Sequence, residues 1–174
     1  SLYLNDSAYN EAALLASDSL VSILKENRVT GAFFVLNGSN SNKGDPAAHS
    51  AVYIRNTTPD SGTTSNYLLE IGPIAVSRQH TMATSIRWNL DIRSGSEDGD
   101  FDFYKKPIWA SSQFKNAERE RYGYWSPPRD MLNDNQQVVC YTMPVLDENG
   151  ATQHILCVSR DISQQKIAES RLQQ

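Results

Sequence analysis

Val138-Val139-Cys140-Tyr141-Thr142-Met143 and His154-Ile155-Leu156-Cys157-Val158-Ser159, joined through Asp147-Glu148-Asn149-Gly150, decide the fold. Two apolar runs of strand length around an Asp/Asn/Gly cluster signal a β-hairpin. With the turn centred on Glu148-Asn149, Cys140 falls opposite Cys157. Side chains alternate faces along a strand, so one face carries Val138, Cys140, Thr142, Ile155, Cys157, Ser159 and, just past the strand, Asp161. The other carries Val139, Tyr141, Met143, Leu156 and Val158. The bulky face suits packing under a helix, while the small-residue face leaves room beside it for another group.

Upstream, Ala32-Phe33-Phe34-Val35-Leu36 is a continuous apolar run and reads as a strand buried on both faces, with Ala51 to Arg55 as its hairpin partner. Tyr67 to Ile71 returns to apolar character, and a short helix is expected around Ala75 to Thr84. From Leu2 to about Glu26 there is no Gly or Pro, and Leu14, Leu20, Val21 and Leu24 recur near helical spacing. A long amphipathic helix is expected over 1–28, packing partly on its own domain and partly on a second copy. Downstream, 164–174 reads as a polar exit helix with Ile167 and Leu172.

At 174 residues the chain is one domain, 1–174, with the sheet core over 31–163. With 39% apolar and 21% charged residues and a net charge of −4, it is a globular protein and not a basic nucleic-acid binder. No run approaches the ~20 apolar residues that cross a bilayer. A domain cut from between two membrane helices would look the same.

The common nucleotide, zinc and hydrolase signatures are absent. Asp98-Gly99-Asp100-Phe101-Asp102 imitates the start of a calcium loop but has Phe103 at position six and Trp109 at position twelve, so no metal is expected. His49, His80 and His154 lack ligand spacing and read as surface or hairpin residues. Cys140 and Cys157 read as soft fillers of an inner sheet face rather than a disulfide, because adjacent antiparallel strands rarely allow relaxed disulfide geometry. Phe101 to Ala110 and Tyr122 to Asp130 concentrate aromatics with Lys and Asp. Such segments either wall a small-molecule pocket or cap the core.

In order along the chain, the long first helix, Gly31 to Asn37, Tyr104 to Pro107 and Tyr124-Trp125-Ser126-Pro127 resemble the Cache family. Tyr141 to Val145 with Asp147 to Gly150, and Val158-Ser159-Arg160-Asp161-Ile162-Ser163, complete the resemblance over nearly the whole chain. Cache domains are the extracellular relatives of PAS domains in bacterial histidine kinases, chemoreceptors and diguanylate cyclases. The resemblance implies an α+β fold of PAS-like type. A central antiparallel sheet of five to six strands would carry the long N-terminal helix on one face and a ligand pocket on the other, roofed by the loops between Tyr104 and Asp130. In relatives that bind amino acids, two acids hold the amine, and Asp130 and Asp161 match them. The carboxylate grip does not match, because Tyr104-Lys105-Lys106-Pro107 stands where Arg and Trp-Tyr would be and Pro128 replaces an aromatic. The end of the chain, Val158 to Glu169, also looks like a cytoplasmic PAS domain leading into a signalling helix.

The expected function is therefore extracytoplasmic sensing of a small polar molecule, amine or amino-acid-like, by a non-catalytic domain. Its terminal helices would signal to a histidine kinase or diguanylate cyclase output domain of a membrane-anchored parent. The expected ligand-binding residues are Tyr104, Lys106, Trp109, Tyr124, Trp125, Asp130, Ser159 and Asp161, with no cofactor, and a homodimer would form through the first helix. The alternatives are a cytoplasmic PAS-like module holding haem or flavin, and a hydrolase using Asp130 and Asp161 as a carboxylate pair.

Overall fold

Helix α1 (Asp6–Glu26) and strand β1 (Gly31–Leu36) set the layers in the computed structural model, which describes residues 6–36, 48–60, 66–93, 102–130 and 137–173. Along β1 the side chains split. Phe33 and Val35 enter one hydrophobic cluster and Ala32 and Leu36 the other, which is why the run is continuously apolar. α1 is described from Asp6 onward, and 1–5 lie outside the described residues. Its buried side chains, Tyr9, Ala13, Ser17, Leu20, Val21 and Leu24, recur every three or four positions over its length. The stripe packs on β1, β2 and α2 of its own domain, as the first part of the expectation has it. The Tyr9 hydroxyl donates to the carbonyls of Ala51 (2.9 Å) and Leu90 (3.1 Å), anchoring the helix start.

β2 (Ala48–Asn56) pairs antiparallel with β1, and β3 (Tyr67–Ile71) with β2. After β3 the chain makes α2 (Ile74–His80) and then β4 (Ala83–Asn89), which runs parallel to β3. The intervening helix provides the crossover that a parallel pair needs, and this makes the sheet mixed rather than antiparallel as expected. α2 is tied to α1 where Ser17 Oγ meets His80 Nε2 at 2.8 Å. β5 (Asp91–Arg93) pairs with the other half of β2.

Next come α3 (Asp102–Gln113), a 3₁₀ turn (Arg119–Tyr122), β6 (Tyr124–Trp125), β7 (Arg129–Asp130), β8 (Gln137–Leu146), β9 (Thr152–Asp161) and α4 (Ser163–Leu172). Among the described residues the fold is α+β, with four α-helices and nine strands in the order β4-β3-β2-β1-β9-β8-β6, where β5 joins β2 and β7 joins β8. The sheet exceeds the expected five to six strands because the middle of the chain adds short edge pieces. α3 is a further correction: a helix, with Pro107 inside it, stands where roof loops were expected.

The hairpin forms with a different register. Cys140 faces Ser159 and Thr142 faces Cys157, two places from the expected Cys140–Cys157 pair. The cause is the turn. Asp147 Oδ1 accepts the N–H groups of Asn149 and Ala151, both at 2.9 Å, and Gly150 takes a φ of 77°, giving a loop longer than two residues. A bulge between Val145 and Leu146 supplies the rest of the shift. A slip of two keeps every side chain on its face. Leu156 and Val158 accordingly pack on the α1 cluster, whereas Val138, Cys140, Ile155 and Cys157 join the opposite one. The small-residue face is not left open, because Phe103 and Tyr104 of α3 fill it.

Candidate functional site

α3 presents Phe103, Tyr104, Pro107 and Ser111 inward, at helical spacing, onto that face. Phe103 meets Phe33 edge-on at 5.3 Å, and Tyr104 lies against His49 at 4.8 Å. Tyr104 is therefore a core residue. Lys106 points outward, pairs with Asp102 at 3.1 Å, and covers the Tyr124 ring at 4.8 Å. Its hydrogen bond to Asp102, with Tyr124 beside it, holds its ammonium pKa above the usual value. Tyr124 packs at the margin of the α3 cluster.

Three other expected residues do not converge there. Trp109 is 60% exposed on the outer side of α3, beside Phe114. Trp125 is 67% exposed and lies against Tyr141 at 4.7 Å. As strand neighbours, Tyr124 and Trp125 face opposite sides of the sheet, so they cannot wall one pocket. Asp130 pairs with Gln137, whereas Arg129 and Asp161 both pair with Val138 from its two sides. Cross-strand partners share a face, so Asp161 and Arg129 lie on the α3 face and Asp130 on the other. The two carboxylates thus share neither an amine nor a hydrolytic cleft. Arg129 takes the place expected of Asp130, its guanidinium 5.4 Å from the Phe103 ring centre.

The remaining two expected residues, Ser159 and Asp161, are brought together at the end of β9. Ser159 is 1% exposed and adjoins Gly31, where an added Cβ would lie 2.6 Å from Ser159 Oγ and 2.9 Å from the Tyr53 hydroxyl. Only glycine lets these two hydroxyls close over β1. Burial raises the Tyr53 pKa, partly offset by the neighbouring Ser159 hydroxyl. Beside them Arg55 Nε pairs with the buried Glu70 Oε1 at 2.8 Å.

Asp161 holds the root of α4. Its Oδ1 accepts the Ser163 N–H at 2.8 Å, and its own N–H donates to Thr30 Oγ1 at 2.8 Å. The Thr30 hydroxyl in turn donates to the Ser159 carbonyl at 3.1 Å. The start of β8 completes the clamp, with Gln137 N–H donating to Ser163 Oγ at 3.0 Å and its carbonyl accepting the Ile162 N–H at 2.8 Å. Thr30 just before β1, the start of β8, the end of β9 and the start of α4 are thereby one hydrogen-bonded unit.

A cavity of about 460 Å³ opens beside this clamp, with Arg28, Thr30, Arg55, Asp60, Asp161 and Gln164 in its wall. It offers both signs of charge, and Arg28 and Arg160 at its rim have no ion-pair partner among the described residues. Asp161 was legible as a site residue; Thr30, Arg28 and Arg55 were not. The available signal was position alone, since Arg28 and Thr30 lie between the first helix and first strand.

Cys140 and Cys157 are buried and not joined in a disulfide, and both fill the inner sheet face as read from the sequence. Their mutual hydrogen bond, with help from Ser126 and Arg129, lowers the Cys140 pKa, while burial raises that of Cys157. No group of three or more metal-ligating side chains occurs among the described residues. The calcium-like stretch lies outside them except for Asp102, which is paired with Lys106. His49 in β2 and His154 in the β8–β9 hairpin are half-buried strand residues, and burial lowers both pKa values. Among the described residues, no helix is long and apolar enough to cross a membrane. No protein family, curated protein or solved structure matches the chain.

Proposed function

We propose that this chain is a ligand-sensing domain of PAS-like, Cache type, the extracytoplasmic part of a bacterial membrane-anchored signalling protein. It binds a small polar molecule and passes the signal through α4 to a kinase or cyclase output domain. One observation carries this reading: the Asp161 carboxylate lines a cavity and also accepts the first N–H of α4. A ligand that engages Asp161 competes with, or reinforces, the contact that starts the helix. Coupling requires only a differential affinity for two arrangements of α4, of about 1–3 kcal/mol. The long helix on one face of the sheet is in keeping with the Cache resemblance, whereas the other face carries α3 where the resemblance implied a pocket.

The mixed charge of the wall favours a molecule carrying both signs, with the guanidinium groups of Arg28 and Arg55 on its anionic end and Asp161 on its ammonium. The test is a thermal-shift series with amino acids, simple amines, carboxylates and sugars, run on the wild type and on Asp161→Asn. Asparagine keeps an oxygen for the Ser163 N–H but removes the charge. The expected result is a rise in Tm with zwitterions that is lost in the variant. No rise with zwitterions, or a zwitterion-induced rise that Asp161→Asn leaves intact, refutes the reading.

A further inference from the structure

A second, larger cavity of about 820 Å³ lies at the other end of β8 and β9, roughly 30 Å away along the strands. It is an open cleft bounded by the end of α3, the 3₁₀ turn and the β8–β9 hairpin. Its polar wall includes Ser111, Ser112, Lys115, Asn116, Arg119 and Thr152, and no acid among the described residues lines it. Lys115 and Arg119 have no ion-pair partner among the described residues. The hairpin's Asp147 is occupied elsewhere, accepting the N–H groups of Asn149 and Ala151 and the Gln153 amide.

The wall is also built to hold its shape. The buried Tyr122 hydroxyl donates to the Phe114 carbonyl at 2.5 Å and accepts the Ala117 N–H at 2.9 Å. This clips the turn in which Asn116 adopts a left-handed φ of 60°. The Ser111 and Thr152 hydroxyls meet at 2.7 Å and fix α3 to β9. Two unpaired cations held on a braced wall, among hydroxyl and amide donors, define an anion site.

We infer that this cavity binds a small polyanion, a molecule bearing two or more carboxylates or phosphates. The volume is that of a metabolite site rather than of a single inorganic ion. The inference is independent of the α4 site, because it rests on a different cavity and different residues.

The experiment measures Tm and calorimetric binding with succinate, citrate and inorganic phosphate, against chloride and sucrose at matched ionic strength. Variants are Lys115→Gln/Arg119→Gln and, as a control, Arg28→Gln/Arg160→Gln. Succinate or citrate is expected to bind the wild type and the control alike, and about tenfold or more weakly to Lys115→Gln/Arg119→Gln. Phosphate as the tightest of the three would select the phosphorylated class of ligand. Cations that merely complement the end of α3 would lower the basal Tm when removed and leave anion binding unchanged. That result overturns the inference, as does binding that follows Arg28 and Arg160, or no binding by the wild type.

Discussion

Replacing Asp161 with alanine removes the acceptor that begins α4, at a helix unusually dependent on it. α4 has ten residues and buries none of them; Ile167 and Leu172 are exposed. Isolated helices shorter than about 12–15 residues are marginal in water, so packing does not hold this one and its first turn must. The side-chain bond from Ser163 N–H to Asp161 Oδ1, 2.8 Å long, is one of three that fix that turn. Loss of a terminal acceptor of this kind costs about 1 kcal/mol, a roughly fivefold rise in opening of the helix. The cost is local, because the core clusters contain no residue of α4. Hydrogen exchange at Ser163 and Lys166, followed by NMR, is therefore expected to speed up about fivefold in Asp161→Ala and little in Asp161→Asn, with global Tm almost unchanged. A Tm drop of about 2–4 °C with exchange in α4 unchanged would refute the reasoning. It would mean that α4 unfolds only with the sheet and is not an independently movable exit.

Two further outcomes follow from the same end of the sheet and from its histidines. Gly31→Ala forces a methyl group to within 2.6 Å of Ser159 Oγ and 2.7 Å of the Tyr53 ring, both nearly fully buried. The expected cost is about 1–3 kcal/mol, read as a lower midpoint in urea unfolding and partly recovered by adding Ser159→Ala; wild-type stability would disprove the close packing. His49 and His154 have pKa values lowered by burial, so the unfolded chain takes up protons more readily than the folded one. Their contribution to stability is complete above the ordinary value of 6.5 and is lost as pH falls toward the depressed folded values. Chemical unfolding between pH 7 and 5 should show this decline, flattened in His49→Phe/His154→Gln, and an equally steep decline in that variant would contradict it.

Strand β1, the hairpin and both end helices were legible because each depends on local pattern. Burial on two faces requires an unbroken apolar run, and a face can be sorted by alternation alone. The register was not legible, since it follows from Asp147 capping a longer loop and from one bulge, neither visible in an Asp-Glu-Asn-Gly string. α3 was misread because Pro107 suggests a break, whereas the helix forms around it with Pro107 buried against the sheet. The site divided for a related reason. Asp130 and Asp161 look alike in sequence, but two residues of β7 set one step apart decide that Arg129, not Asp130, shares a face with Asp161.

The charge balance at the two cavities narrows what each can take. At the α4 root, the Arg55–Glu70 pair is already formed at 2.8 Å and Asp161 is already hydrogen-bonded, so a ligand there exchanges contacts more than it adds them. Such exchange yields modest affinity, but the contact exchanged is the one that starts α4, and that is how weak binding can produce a large change in helix population. At the α3 end, Lys115 and Arg119 hold no ion-pair contacts to give up. An anion there gains its bonds outright, and α3 is braced to β9 by the Ser111–Thr152 pair. Binding at that end is thus expected to stabilise the domain without displacing a helix. The α4 root is suited to transmit and the α3 end to hold. Measuring hydrogen exchange in α4 with each ligand class separates them: zwitterions should change protection at Ser163 and Lys166, while citrate should leave it unaltered even as it raises Tm.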